Sequence, residues 1–405
     1  MVKEVNRKPV KHVTFDDFLK TTMFFLKTVG SEPYLHNLKR SKWKTVLWKI
    51  YYVLGLGQLD YLMYGEMVVF KATISDPKKF MLATAMAPCI LFIVGVNVKE
   101  FALYIFRHDI YDVMQELRSI FPDNHEDQVK LKVYSYYSRI QFISYAFIFF
   151  CVAFTSAFNI FPIYAGVITV FFENGTYVKD FGYFVWYPFD TEAWDVYLIL
   201  YGLQIHGAYL AGVLFVGADL MMCAAVAQNC MHFSHMKNLL LEYQPKGNEK
   251  DLTFITDLAK YHDKILVLNE KVNSMFSVCI LVSFMTATAA ICFIGFQITS
   301  STPQDAIKFG LFLGAEITQL VAICYYGNKI VDSSTGVGDA MYYHNWYSAD
   351  IRYRKMMIQI MQRSQRPASI RAPTFPPTSY ETFMRIMTTS YKFFAVLRQS
   401  LNRNL

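Results

Sequence analysis

Seven stretches of the chain stay apolar for about the 20 residues that a bilayer crossing requires. They run near 45–70, 80–105, 138–170, 196–226, 273–298, 306–327 and 379–399. The third, fifth and sixth are plain; Asp60 and Glu66 break the first, and Arg385 and Lys392 the seventh. Several exceed the need, which predicts tilt or extension into water. Segment 15–29 has helical amphipathic spacing. It predicts a helix lying at the interface or tucked under the bundle, or an ordinary cytoplasmic helix. Segments 107–133 and 228–271 are charged and helix-compatible and read as extensions of the spans, with a turn at Gln244-Pro245-Lys246-Gly247-Asn248. A helical run from Ile351 to Gln362 follows His344-Asn345-Trp346-Tyr347, and Pro373, Pro376 and Pro377 precede the last span. Loop 171–195 carries Phe181, Tyr183, Phe184, Trp186, Tyr187 and Phe189, an aromatic set able to close over the bundle mouth. The pattern predicts an all-α membrane protein with seven transmembrane helices.

Composition agrees. Of 405 residues, 54% are hydrophobic, 17% aromatic and only 18% charged, with mean hydropathy +0.23. Soluble domains average about 25% charged residues, so these figures argue against a soluble enzyme, a disordered chain or a disulfide scaffold. The net charge of +7 comes without a basic cluster interleaved with aromatics, so nucleic acid is not an expected partner. Lys and Arg distribute 26 to five in favour of the side holding 1–42, 107–133, 228–271 and 328–374. The positive-inside rule then gives a cytoplasmic N-terminus and an extracellular C-terminus, opposite to G-protein-coupled receptors. Asn174-Gly175-Thr176 is the only sequon and falls in a loop this topology places outside, making Asn174 the candidate glycosylation site. The first twenty residues are charged and lack a signal-peptide cleavage site. All seven cysteines lie in or beside spans and read as apolar filler.

No catalytic motif emerges, so neither an enzyme nor a cofactor is expected. His232 and His235 share a helical face but lack the further ligands a metal would need. Ionisable residues within spans raise a functional question by default. Here they are Asp60, Glu66, Lys99, Asp219, Glu316, Arg385 and Lys392. Lys99 and Glu100 are expected to snorkel, whereas Asp219 and Glu316 face the bundle in a structural contact. On the seventh span Arg385, Thr388, Thr389 and Lys392 form one stripe, and Phe383, Met387, Tyr391, Phe394 and Arg398 another. So polar a helix faces water, another chain, or neighbouring helices. Phe394 is a candidate hydrophobic constriction. The exterior halves of spans two, three, four and six are rich in aromatics and Met. They supply a candidate apolar ligand site: Phe80, Met81, Thr84, Phe150, Phe154, Tyr201, Gln204, Ile205, Tyr209, Phe309 and Phe312. Gln204 and His206 are its candidate hydrogen-bonding groups. A transporter is the rival class, but related halves and paired broken helices are not evident.

The chain resembles the insect odorant receptors over nearly its whole length. Tyr343, Trp346 and Tyr347 look like the family's interior aromatic cluster, and Arg363-Ser364-Gln365-Arg366-Pro367 like its stop before the last span. Ser390-Tyr391-Lys392-Phe393-Phe394-Ala395-Val396-Leu397 looks like its C-terminal signature, and Pro188-Phe189-Asp190 like its second exterior loop. The gustatory pattern of Thr-Tyr, five residues, then Gln-Phe fails, because Leu397 and Arg398 stand in its last two places. Segment 228–271 lacks the long insertion of the shared co-receptor, so the resemblance is to a ligand-selective tuning subunit. It implies a heterotetrameric, ligand-gated, non-selective cation channel formed with the odorant receptor co-receptor in the plasma membrane of olfactory sensory neurons. Its ligand would be a small volatile, mildly favoured to be aromatic. It further implies a cytoplasmic segment 1–42, a six-span bundle 43–327 with the odorant pocket, a cytoplasmic anchor 328–378, and a pore-lining span with a short extracellular end, 379–405. By the Tyr391 register, Tyr391, Phe394, Leu397 and Arg398 fall at the gate. Four copies of Arg398 would repel cations, which disfavours a homotetramer.

Overall fold

The computed structural model describes residues 12–31, 42–76, 79–172 and 176–404. The helices are α1 (Phe15–Thr28), α2 (Lys42–Ile74), α3 (Phe80–Ile105), α4 (Arg107–Ile120), α5 (His125–Lys130), α6 (Val133–Phe172), α7 (Trp194–Glu242), α8 (Glu249–Ser300), α9 (Pro303–Tyr343), α10 (Ile351–Ser364) and α11 (Tyr380–Asn404). Among the described residues there is no strand, only an isolated bridge between Arg371 and Pro377. Each predicted span lies on a helix. α3, α6, α7, α8 and α9 are long and apolar enough to cross a membrane. α2 and α11 are continuous helices but carry the charges that interrupt their apolar runs, and they are not among those five. Asn174 lies outside the described residues.

Local chemistry sets the boundaries. At the turn joining α7 to α8, Gly247 adopts φ +74°, a conformation open to glycine at little cost. Asp251 Oδ2 accepts the backbone N–H groups of Lys246, Gly247 and Asn248 at 2.9, 2.7 and 3.2 Å. Thr302 caps α9 by accepting the Asp305 N–H at 3.3 Å, and Pro303 stands in the first turn, where no N–H is required. The charged stretch 228–271 is continuous with the spans on either side of its turn, so α7 runs 49 residues and α8 52, whereas 107–133, expected to extend its spans likewise, folds as the separate helices α4 and α5.

α7 is the axis of the bundle. Its most apolar window is entirely buried, as expected for a helix apolar on all sides. It packs against α9, α6, α8, α3 and α1, while α3 packs on α8 and α2. α1 is tucked into the bundle: Phe15 and Phe18 meet Phe121 edge-on at 5.9 and 6.0 Å, and Leu26 presses on Gly217. α10 packs on α9 and α8, and α11 on the same two helices.

Lys99 does not snorkel. It is fully buried and pairs with Asp219 at 2.7 Å, with Gln319 Nε2 donating to the same carboxylate oxygen at 2.5 Å. Glu100 is also buried and accepts the Tyr52 hydroxyl at 2.6 Å. Asp219 and Glu316 do face the interior. The seven cysteines are buried free thiols.

Candidate functional site

The loop between α6 and α7 folds onto one end of the bundle and closes it. Trp186 N–H donates to the Gly65 carbonyl of α2 at 3.2 Å. Gln204 of α7 grips Tyr183 at both backbone groups, 3.2 Å each, and donates to the Tyr187 hydroxyl at 3.2 Å. Gly182 lies so close to α6 that a Cβ there would stand 2.6 Å from the Phe158 carbonyl oxygen. Tyr183 is thereby stacked on Phe158 with centroids 5.7 Å apart and planes at 14°. Burial raises the Tyr183 phenol well above its ordinary range, so it stays neutral.

Beneath this lid lies an inner cavity walled by α2, α3, α6, α7 and α9. Leu59, Leu62, Phe92, Phe154, Ala211 and Phe312 are among its apolar lining. Phe154 and Phe312 stack at 4.6 Å and 9°, and Phe92 meets Phe154 edge-on at 5.4 Å. The cavity holds about 30 Å³, room for a water or two. A benzene-sized guest needs about 150 Å³, so these rings must separate to admit one. An outer cleft of about 590 Å³ adjoins it, lined by Met81, Phe184, Gln297, Asp305, Lys308 and Phe309 among others. Glu66, Cys89, Phe158 and Tyr183 line both spaces.

The predicted ligand residues divide accordingly. Phe154, Gln204 and Phe312 line the inner cavity, and Met81 and Phe309 the cleft. Thr84 is buried just behind the cleft, donating to the Met81 carbonyl at 2.9 Å and accepting from Gln297 at 2.8 Å. Phe80, Phe150, Tyr201, Ile205 and Tyr209 line neither space. Phe150 packs over Gly314, and Tyr201 donates its hydroxyl to the Asn159 carbonyl beneath the lid. Ile205 and Tyr209 point outward, 43% and 42% exposed, and Tyr209 shares a 2.6 Å hydrogen bond with Thr28. Ile205 and Tyr209, one turn apart, share the outer face of α7, and Gln204 and Ala208 the inner one; aromatic content alone does not say which face is which. Gln204 is committed to the lid. His206 is committed elsewhere, its ring nitrogens 3.0 Å from the Tyr51 hydroxyl and 2.8 Å from Gln58 Oε1. Sequence reasoning missed Leu59, Leu62, Phe92 and Phe158 and did not assign Glu66 or Tyr183 to the site. The signals available were the carboxyl interrupting the first span and the aromatic loop.

α11 presents two faces. Ile386, Ser390, Phe394 and Leu397 turn toward the bundle; Ser390 donates to the Thr288 carbonyl of α8 at 2.9 Å, and Phe394 lies over Gly295. Met384, Thr388, Tyr391, Ala395 and Arg398 are exposed along the other side. Beside the contact of α11 with α8 lies a crevice of about 930 Å³ lined by residues of α8, α11 and the segment before α11. His232 is buried with Nδ1 2.6 Å from the Tyr261 hydroxyl. No cluster of metal-ligating groups occurs among the described residues.

The family model described as "7tm Odorant receptor" matches residues 81–391. Odorant receptor 67c of Drosophila melanogaster is 35% identical over 395 residues, covering 96% of this chain and 98% of the relative. Putative odorant receptor 92a of the same species is 34% identical, covering 95% of each. The solved olfactory receptor OR5 of Machilis hrabei superposes with TM-score 0.80 at 17% identity, covering 95% of this chain and 98% of that one. OR5 solved in complex with eugenol gives 0.79. A helical membrane chain with an aromatic cavity under a loop lid, matched end to end by receptors of one kind, belongs to the insect odorant receptor family.

Proposed function

We propose that this chain is the odorant-binding subunit of a heteromeric, ligand-gated, non-selective cation channel, assembled with the odorant receptor co-receptor as a tetramer in the plasma membrane of olfactory sensory neurons. The closed aromatic cavity beneath the lid carries this reading. In it Phe154, Phe312 and their neighbours offer an apolar wall, with few polar groups, to a small volatile ligand. The eugenol complex of the Machilis receptor supports a small aromatic ligand for the shared fold. In this reading the lid end is extracellular, and segment 328–378 is the cytoplasmic anchor.

Gating follows from the tight fit. A guest larger than a few waters must part the rings of Phe154 on α6 and Phe312 on α9. It therefore binds better to any arrangement in which those helices stand apart, and this differential affinity shifts the equilibrium. α9 also packs on α11, so its movement is passed to the last span. α11 lines the pore with the face carrying Tyr391 and Arg398, while Phe394 and Leu397 tie it to α8. One or two Arg398 side chains in a mixed ring are compatible with cation passage; four would repel it.

The test is whole-cell current from cells expressing this chain alone and with the co-receptor, across a broad panel of volatiles. Cation current evoked only when both are present is the expected result. Odorant-evoked current from this chain alone would overturn the heteromeric assignment.

A further inference from the structure

Glu66 sits in the last third of α2 with 1% of its surface exposed, where a charge-bearing side chain is costly to bury without a partner. Its Oε2 has no hydrogen-bond partner, and its side chain lines both the outer cleft and the inner cavity. The cleft's ammonium group is already engaged: Lys308 pairs with Asp305 at 2.8 Å and lies over the Phe158 and Phe309 rings at 4.9 and 5.4 Å. The polar side chain nearest in role, Gln204, has both its oxygen and its nitrogen committed to the lid. Glu66 is also locked in place. The preceding residue, Gly65, accepts the Trp186 N–H from the lid, and Val185 is packed so closely on it that a Cβ would lie 2.4 Å away.

From this geometry we propose that Glu66 is the polar anchor of the odorant site and selects volatiles with a hydrogen-bond donor, a hydroxyl or amine, on a compact apolar body. The inference rests on the odorant-binding reading above and names the ligand chemistry that site prefers. A donor entering through the cleft satisfies the orphaned oxygen, while the apolar body goes inward among Phe92, Phe154 and Phe312. A matched ether offers that oxygen no donor and leaves its lone pairs unsatisfied, which costs more than a merely absent contact. Contact with Glu66 also lies directly beside the lid's attachment to α2, so ligand capture and lid position are linked.

The experiment compares half-maximal concentrations for matched pairs in cells expressing this chain with the co-receptor. Suitable probes are 4-methylphenol against 4-methylanisole, benzyl alcohol against benzyl methyl ether, and benzylamine as the amine arm. The wild type is expected to favour donors over ethers by about tenfold, the ratio of one net hydrogen bond. Glu66→Met is expected to bring that ratio to about one while retaining responses to the ethers. Glu66→Gln keeps an acceptor oxygen and is expected to preserve the preference for the phenol and alcohol; loss of the amine response alone in that variant identifies an ionic contact. An unchanged ratio in Glu66→Met at normal surface level would overturn the proposal, as would a wild type indifferent to the donor. Silence of the wild type to every volatile would instead remove the odorant-binding reading on which it stands. Response to ethers in Glu66→Met shows that the variant folds.

Discussion

At the scale of single residues, some interior charges are paired, whereas the Oε2 of Glu66 has no hydrogen-bond partner. Lys99 and Asp219 compensate each other at 2.7 Å, with Gln319 completing the carboxylate's contacts. Asp219→Ala leaves a buried ammonium unpaired and is expected to destabilise the chain by about 3–5 kcal/mol. A lowered melting temperature in detergent, together with reduced surface delivery, checks this. Replacing Lys99 and Asp219 together by apolar residues is expected to cost less than either single change. The sequence placed Asp219 inside but put Lys99 at the water boundary. A long cationic stem near a helix end reads as a snorkelling group unless its tertiary partner, 120 positions away, is known. The same limit applied to the ligand site. Phe154 and Phe312 were recognisable as aromatic wall, whereas Ile205 and Tyr209 lie on the outer face of α7, where Tyr209 meets Thr28 of α1. Tyr201, read from sequence as a ligand contact, supports the lid from behind through Asn159. Tyr201→Ala is accordingly expected to alter responses to all odorants alike, without sorting them by shape.

Among elements, the lid and the helical layer at the opposite end of the bundle make separate predictions. Gly182→Val places side-chain atoms against the Phe158 carbonyl and must lift the loop from α6. Half-maximal odorant concentrations are expected to shift by about tenfold or more, in the range that one lost hydrogen-bonded contact allows. Gln204→Leu should do the same by releasing Tyr183. Dose–response curves unchanged in both variants would remove the lid from the mechanism. At the opposite end, burial holds the His262 imidazole down at about 4, aided by the nearby Arg363 charge. Burial also lowers His344, against the opposing pull of the Met341 and Ala340 carbonyls. His344 bridges the Met341 carbonyl and the Tyr353 hydroxyl at 2.7 and 2.8 Å. Groups held below their unfolded value contribute full stability above about pH 6.5 and lose it as pH falls toward the folded value. Between pH 6.5 and 5, His262 alone forgoes about 2 kcal/mol. Amide exchange across α8 and α10 is expected to quicken over that interval, less so in His262→Phe. The helices themselves were legible from apolar spacing, and the α7–α8 turn from Pro245 and Gly247. The lid was visible only as an aromatic loop; its seat depends on Gly65 and Gly182, whose missing side chains matter only once two distant segments meet.

For the whole molecule, the central claim is that the space beneath the lid is where an odorant acts and that α9 carries its effect to α11. Charge distribution and span count anticipated the helical bundle, and the short motifs of the last third carried the resemblance to the family. They could not say that the first span supplies Leu59, Leu62 and Glu66 to the cavity, because helix order in sequence does not give neighbour order in space. Nor could the period of α11 decide its orientation. Phe394 and Leu397 lie toward α8 while Tyr391 and Arg398 are exposed, and both stripes are equally amphipathic on paper. Arg398→Glu, on the exposed face, is expected to raise cation conductance of the assembled channel, whereas Phe394→Ala should loosen α11 and raise current without odorant. Cavity filling tests the account most directly. Ala211 is buried at the cavity wall, and Ala211→Phe places a ring in the space an odorant must occupy. The measurement is odorant-evoked cation current from this variant expressed with the co-receptor, compared with wild type at matched surface level. The account predicts dose–response curves displaced by at least about tenfold, with the largest ligands losing most and ion selectivity unchanged. Curves superimposable on wild type for every ligand would contradict it and place the odorant site elsewhere in the molecule.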